Sequence, residues 1–358
     1  MTNMTAWLEA LAAARGSDLH VKVGSTPRMR VDGHLVELEG PVITSEMAEN
    51  LLTEVIRPDL YDEFQRRNEA DFAYSLAGVG RFRVNAFRQR GSVGLVLRRV
   101  QEGALSIESL GLPPVIARLA EEPRGLVLVT GPTGSGRTTT LASMIDHVNA
   151  NRAVHIVTIE DPIEVLHADK LGIVNQREVR VDTEDFAVAM RAAMRQDPDV
   201  ILVGEVRDAE TLKAALAAAE TGHLVLSTLH TTDAAETVNR CIDLFPPFQQ
   251  RQVRLSLAAA LRGIVGQRLV RRDGDGGRIA VLEILVNTGR AAEAIADPER
   301  LGELGTIVTE GSYYGMQTFD QHLIALYRDG VVTLEDALAV ASNPHDLRVA
   351  LRNQGLVA

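Results

Sequence analysis

Residues 131–138 read Gly131-Pro132-Thr133-Gly134-Ser135-Gly136-Arg137-Thr138, followed by Thr139, and no other stretch limits the fold so tightly. The glycines let the backbone curl so that its N–H groups converge on one point. Leu126-Val127-Leu128-Val129, just before, is apolar without alternation, as a strand buried on both faces of a parallel sheet is. Leu141, Met144, Ile145 and Val148, just after, recur at helical spacing. Strand, glycine-rich turn and amphipathic helix make a phosphate-binding P-loop, with the positive end of the helix aimed at the same point.

Residues Gly131 to Thr139 are therefore the expected nucleotide contacts, with ATP as ligand. Thr138 stands where a hydroxyl ligand to Mg²⁺ belongs. Arg137 stands where the P-loop lysine belongs. Lys22, Lys170 and Lys213 are the lysines of the chain, so 34 of its 37 cations are arginine. A general drift toward arginine that the site tolerates is one account of Arg137. The other is chemical. Guanidinium is planar and bulkier than ammonium, and a misplacement of ~1 Å can cost on the order of 10²-fold in rate. The second account predicts retained nucleotide binding with slowed hydrolysis.

At 358 residues, one large or two ordinary domains are expected. No apolar run approaches the ~18–20 residues of a membrane span, and Met1–Arg15 has no secretory pattern. The lone Cys241 excludes an internal disulfide and a multi-cysteine zinc site. It shares helical spacing with Ala234, Val238 and Ile242 and reads as core. A cytoplasmic location is expected. The net charge of −11 argues against a general nucleic-acid binder.

Residues 1–100 read as a small α+β domain. Trp7, Leu8 and Leu11 suit a short helix, and Ser45 to Phe64 a longer one. Strands are predicted at 18–23, at 29–36 with a turn at Asp32-Gly33-His34, and at 71–76, 81–87 and 93–100. Gly103, Gly111, Pro113 and Pro114 place a linker at 101–114. Residues 115–358 form the second domain. Its predicted strands are 126–130, 155–159, 200–203, 224–228 and 279–285, alternating with helices such as 184–195 and 208–219. That alternation implies an α/β fold with a mostly parallel sheet and flanking helices. Ligands in such sheets sit beyond the carboxyl ends of the strands.

Those ends carry acids and histidines. Glu160-Asp161-Pro162-Ile163-Glu164 follows the second strand, Gly204-Glu205-Val206-Arg207-Asp208 the third, and His230 the fourth, with His223 just before it. Phosphoryl transfer to water needs a metal to neutralise charge, a carboxylate to orient the water, and cations for the transition state. Glu205 is assigned to Mg²⁺ or its waters, and Glu164 to the attacking water. For the acids, helix capping is the bland alternative; for His223 and His230 it is simple packing.

From Gly131 through Asp243 the chain resembles the secretion ATPase superfamily of type II secretion and type IV pili, and most closely its pilus-retraction branch. Thr158–Glu164 is similar to the family's aspartate box, Asp197–Glu205 to its Walker B segment, and Thr221–Thr232 to its histidine box. Ser17-Asp18-Leu19-His20 and Gly80–Asn85 are similar to its N-terminal domain. The resemblance implies a PAS-like domain followed by a RecA-like P-loop ATPase domain, assembled as a homohexamer. It implies catalytic roles for Glu164, Glu205, His223, His230 and Arg137, and N-domain arginines that reach the phosphates. Arg81, Arg83 and Arg98 are the candidates; a solvated basic strand face is the alternative for them. Implied partners are an inner-membrane pilus platform protein and a paralogous ATPase, with the ring peripheral to the membrane and not inserted in it.

Two departures stand out. The tetracysteine element of the extension branch is missing, and the corresponding region offers Cys241 and the turn Asp273–Gly277. The Arg-Asn pair of a retraction-branch motif is absent from Arg290–Ala296, while Gly315–Asp320 again fits. The missing cysteines favour the retraction branch, while Arg137 and the altered motif motivate a second reading, a regulatory or structural subunit that binds nucleotide with little turnover. A RecA-like nucleic-acid motor is the third, opposed by the acidic balance.

Overall fold

A computed structural model describes residues 4–274 and 277–357. Asp275 and Gly276, in the turn noted above, lie outside the described residues. The chain divides into two compact units, Met1–Glu102 and Gly103–Ala358.

The first unit is a six-stranded antiparallel sheet with helices Met4–Ala13, Ser45–Val55 and Pro58–Arg67. Its strands are β1 (Asp18–Lys22), β2 (Arg28–Val31), β3 (His34–Glu37), β4 (Glu69–Leu76), β5 (Gly80–Gln89) and β6 (Ser92–Arg99), in the order β3-β2-β1-β6-β5-β4. Asp32 and Gly33, both at positive φ, make the tight turn between β2 and β3. The helix expected over 45–64 is two helices. Pro58 forces Arg57 into an extended conformation and then opens the second helix at its first turn. Trp7, Leu8, Phe64, Phe82 and Leu97 are buried in one core.

The second unit holds a seven-stranded sheet: β7 (Gly125–Thr130), β8 (His155–Glu160), β9 (Ile173–Glu178), β10 (Val200–Val203), β11 (Leu224–Leu229), β12 (Leu261–Arg271) and β13 (Arg278–Val286). Their order is β9-β8-β10-β11-β7-β12-β13. Every pairing is parallel except β12 with β13. Alternate residues of the central strands enter two separate cores. Leu126, Leu128, Val157, Ile201 and Val225 face one; Val127, Val129, Ile156, Leu202 and Leu226 face the other. The unalternating apolar runs are thus explained by burial on both faces.

Two strands, β9 and β12, were not expected from sequence. β9 is an edge strand, so half its surroundings are solvent and its residues (Ile-Val-Asn-Gln-Arg-Glu) include four polar ones. β12 is interrupted by Gly263 and Gly266. A Cβ at Gly263 would stand 2.8 Å from Leu119, so close packing explains the glycine that blurs the pattern. Within the stretch expected as a linker, Ile107 and Leu112 are buried in the second unit's core.

Candidate active site

The register of the parallel strands brings their carboxyl ends into line. Thr130, the last residue of β7, pairs with Leu229, and Val203 pairs with Ser227. The P-loop leaves β7 and enters helix Arg137–Asn151 through Gly136 at φ +88. No side chain caps this helix and its first turn carries no acid, so its leading N–H groups and positive dipole end stay available to an anion.

Gln267, on the neighbouring strand β12, shapes the loop. Its side chain accepts from Thr140 Oγ1 at 2.7 Å and donates to the Ser135 carbonyl at 2.7 Å. A Cβ at Gly131 would collide with the Gln267 carbonyl, and one at Gly136 would stand 2.8 Å from Gln267 Nε2. The glycines are required by this close approach as well as by their positive φ. The buried Ser135 hydroxyl has no partner among the described residues.

Arg137 opens the helix and turns its guanidinium onto protein acceptors. Nη1 donates to the Gly131 carbonyl, to the Leu229 carbonyl at 2.9 Å, and to His230 Nδ1 at 3.0 Å. Burial lowers the Arg137 pKa, opposed by Glu205 and Glu164; guanidinium nonetheless keeps its charge. The guanidinium spans the ring, with Nη2 3.4 Å from the second imidazole nitrogen, Nε2. That nitrogen lies 3.0 Å from Glu205 Oε1. The other carboxylate oxygen of Glu205 accepts from Arg207 Nε at 2.8 Å.

Glu205, His230, Arg137 and Thr138 line one cavity with Glu160, Asp161 and Glu164. Glu160 accepts from Thr158 Oγ1 at 2.6 Å and Gln176 Nε2 at 3.0 Å. Burial raises its pKa, with Glu164 adding to the rise. Glu164 is exposed at the cavity. The capping alternative is answered for Glu205: Asp208 caps the following helix by accepting from Thr211 N at 2.8 Å.

The model of the type II/IV secretion system protein family matches residues 2–337. The chain belongs to that family. It is 43% identical over 340 residues to the type IV pilus retraction ATPase PilT of Pseudomonas aeruginosa, covering 95% of this chain and 98% of that protein. It is also 43% identical over 345 residues to the type IV pilus ATPase PilU of that organism, covering 96% and 90%. Among solved structures, the pilus retraction motor PilT with bound ADP superposes with a TM-score of 0.85 at 43% identity, covering 96% and 98% of the two chains. The Legionella pneumophila ATPase DotB superposes at 0.82 with 26% identity, covering 94% of each.

One residue of the family's histidine box stands apart from the rest. His223 precedes β11, level with the start of β7 rather than its end. Six residues of strand separate it from His230, roughly 20 Å at a parallel strand's rise. Its Nδ1 bonds the Ala218 carbonyl at 2.9 Å, and its own carbonyl accepts from Gly125 N at 3.0 Å. Of the two histidines expected around one phosphate site, the fold sets His230 beside the P-loop and His223 at the opposite end of β11.

Arg81, Arg83 and Arg98 lie in the first unit. Arg83 and Arg98 are directly opposite each other on β5 and β6, and both are exposed. Arg98 also serves structure, with Nε 2.7 Å from Oδ1 of the buried Asp18. Asp18 is pushed up by burial but ends below its ordinary pKa through Ser17 and Arg98. Cys241 is fully buried and its thiol is pushed up to about 12, as a core residue's would be. Helix Gly289–Ala296 buries Ala291, Ala294 and Ile295, and Arg290 pairs with Glu310 at 2.6 Å. Gln267 and Arg207 were missed as site residues. Arg207 was legible as a cation two residues after Glu205, whereas nothing local marks Gln267.

Proposed function

We propose that the chain is a Mg²⁺-dependent ATPase that works as a homohexameric type IV pilus retraction motor, with hydrolysis slowed by Arg137. The observation that carries this reading is the meeting of His230, Glu205 and Arg137 beside an uncapped P-loop helix. The residues suit a nucleotide: the cradle leaves no room for a side chain at Gly131 or Gly136, and the buried Ser135 hydroxyl has no partner among the described residues. Thr138 and Glu205 would hold Mg²⁺, which supplies charge neutralisation on the phosphates. No three of His, Cys, Asp and Glu gather as a metal site among the described residues. That suits Mg²⁺, which takes one or two protein oxygens and fills its shell from phosphate and water.

In this reading Glu164 orients the attacking water and takes its proton. Glu205 is held from both sides, by His230 at one oxygen and Arg207 at the other, so its carboxylate has one fixed pose. Arg137 contributes positive charge from the loop. Closure between subunits would convert turnover into work on an inner-membrane platform protein, placing the ring in the cytoplasm at the membrane face. No described helix is long and apolar enough to cross a membrane.

A second reading is a nucleotide-binding subunit with little turnover that joins an active paralogue. The engagement of Arg137 by protein acceptors favours it. Steady-state ATP hydrolysis by the assembled protein with Mg²⁺, beside Glu205→Gln, separates the two. Turnover lost in the variant supports the motor. ATP binding without turnover in the parent supports the subunit, and Arg137→Lys should then raise the rate. A rate unchanged or lower in Arg137→Lys rejects the slowing role.

A further inference from the structure

We propose that Arg137 is a positioning residue for His230, and through it for Glu205, and that nucleotide entry breaks this contact. The inference rests on the reading of the P-loop as a nucleotide site. Three acceptors face one nitrogen of Arg137: the Gly131 carbonyl, the Leu229 carbonyl and His230 Nδ1. They belong to the loop, the end of β11 and the residue after it. One side chain thus ties the phosphate loop to the strand that carries His230.

The contact has a geometric consequence. Nη1 and Nη2 lie 3.0 and 3.4 Å from the two ring nitrogens of His230, which fixes the imidazole, and its Nε2 stands 3.0 Å from Glu205 Oε1. Arg137, His230 and Glu205 form a relay in which each member's pose depends on the one before. A lysine at 137 would be a compact point charge without the planar fork that spans several acceptors. The relay is a property of this side chain rather than of the fold.

Phosphate oxygens in the cradle are charged acceptors, and guanidinium bonds them more strongly than neutral carbonyl or imidazole. An arriving β-phosphate therefore draws Arg137 off His230, and His230 loses the donor that fixes its ring. Phosphate occupancy and the His230–Glu205 pose are linked, and the linkage is reciprocal. Part of the binding free energy is consumed in breaking the relay.

The test is ADP affinity in four proteins: the parent, Arg137→Lys, His230→Ala and the double variant. ADP is the probe because its β-phosphate is the group that competes with His230 for Arg137. The relay predicts that His230→Ala tightens ADP binding about tenfold in the parent, the size of one charge-assisted hydrogen bond. In the Arg137→Lys protein the same change should move affinity by less than about twofold. An equal effect in both backgrounds, or weaker binding in the parent, overturns the proposal while leaving the nucleotide site standing. Failure of all four proteins to bind ADP, with thermal melts showing them folded, removes the nucleotide reading and the relay together.

Discussion

Gln267 donates from Nε2 to the carbonyl of Ser135 at 2.7 Å, so a strand residue reads the backbone of the P-loop directly. Its other amide atom accepts from Thr140, 127 residues away in sequence. Gln267→Leu keeps the volume and strands both partners in a buried place. A loss of roughly 2 kcal/mol is expected from the unpaired groups. Denaturant unfolding should show it, and ADP affinity should fall because the loop is no longer pinned.

The two acids assigned to chemistry should separate from the histidine at the far end of β11. Glu164→Gln and Glu205→Gln should each lower ATP turnover by about 10²-fold or more, the usual worth of acid–base participation. His223→Ala should leave the ADP affinity of the isolated subunit within about twofold. Weaker ADP binding in His223→Ala would restore that histidine to the site.

Arg83 and Arg98 face each other across β5 and β6, yet their removal should differ. Arg98→Ala leaves the buried Asp18 without its closest cation. A cost of about 1 kcal/mol is expected, discounted because Arg98 itself is exposed. Arg83→Ala should change stability by less than about 0.5 kcal/mol, since it removes a like charge opposite Arg98. Thermal unfolding of the two variants checks the order.

Glu283 accepts from Ala234 N at 2.9 Å, at the start of the helix that follows His230. Burial raises its pKa above the ordinary 4.5, with Asp233 and Asp320 adding to the rise and Arg268 opposing it. The folded state holds this proton more tightly than the unfolded chain does. Stability from this group is therefore present below pH 4.5 and is lost as pH rises through the folded pKa. Glu283→Gln keeps the acceptor and removes the charge. It should be more stable than the parent at neutral pH, with the difference vanishing below about pH 4; melts across that range decide it.

The features read correctly from the chain are local ones. The P-loop needs glycines at set offsets, and β7, β8, β10 and β11 need apolar residues on both faces; each requirement acts within a few residues. The strands that were missed fail that test for physical reasons. β9 borders solvent, and β12 carries Gly263 and Gly266, demanded by Leu119 and Phe319 from other elements. The break at Pro58 was legible in principle, because proline restricts the residue before it, but the amphipathic pattern runs across it.

From its residues alone, this protein is a P-loop α/β chain of the secretion ATPase kind, with acids and His230 after successive strands. Those facts follow from periodicity and backbone freedom, which are short-range. Tertiary structure alone decided that Gln267 grips the loop and that Arg137 reaches His230. Such contacts join residues 93 to 132 positions apart. They depend on strand order and register, which set where each side chain arrives and which no local pattern encodes.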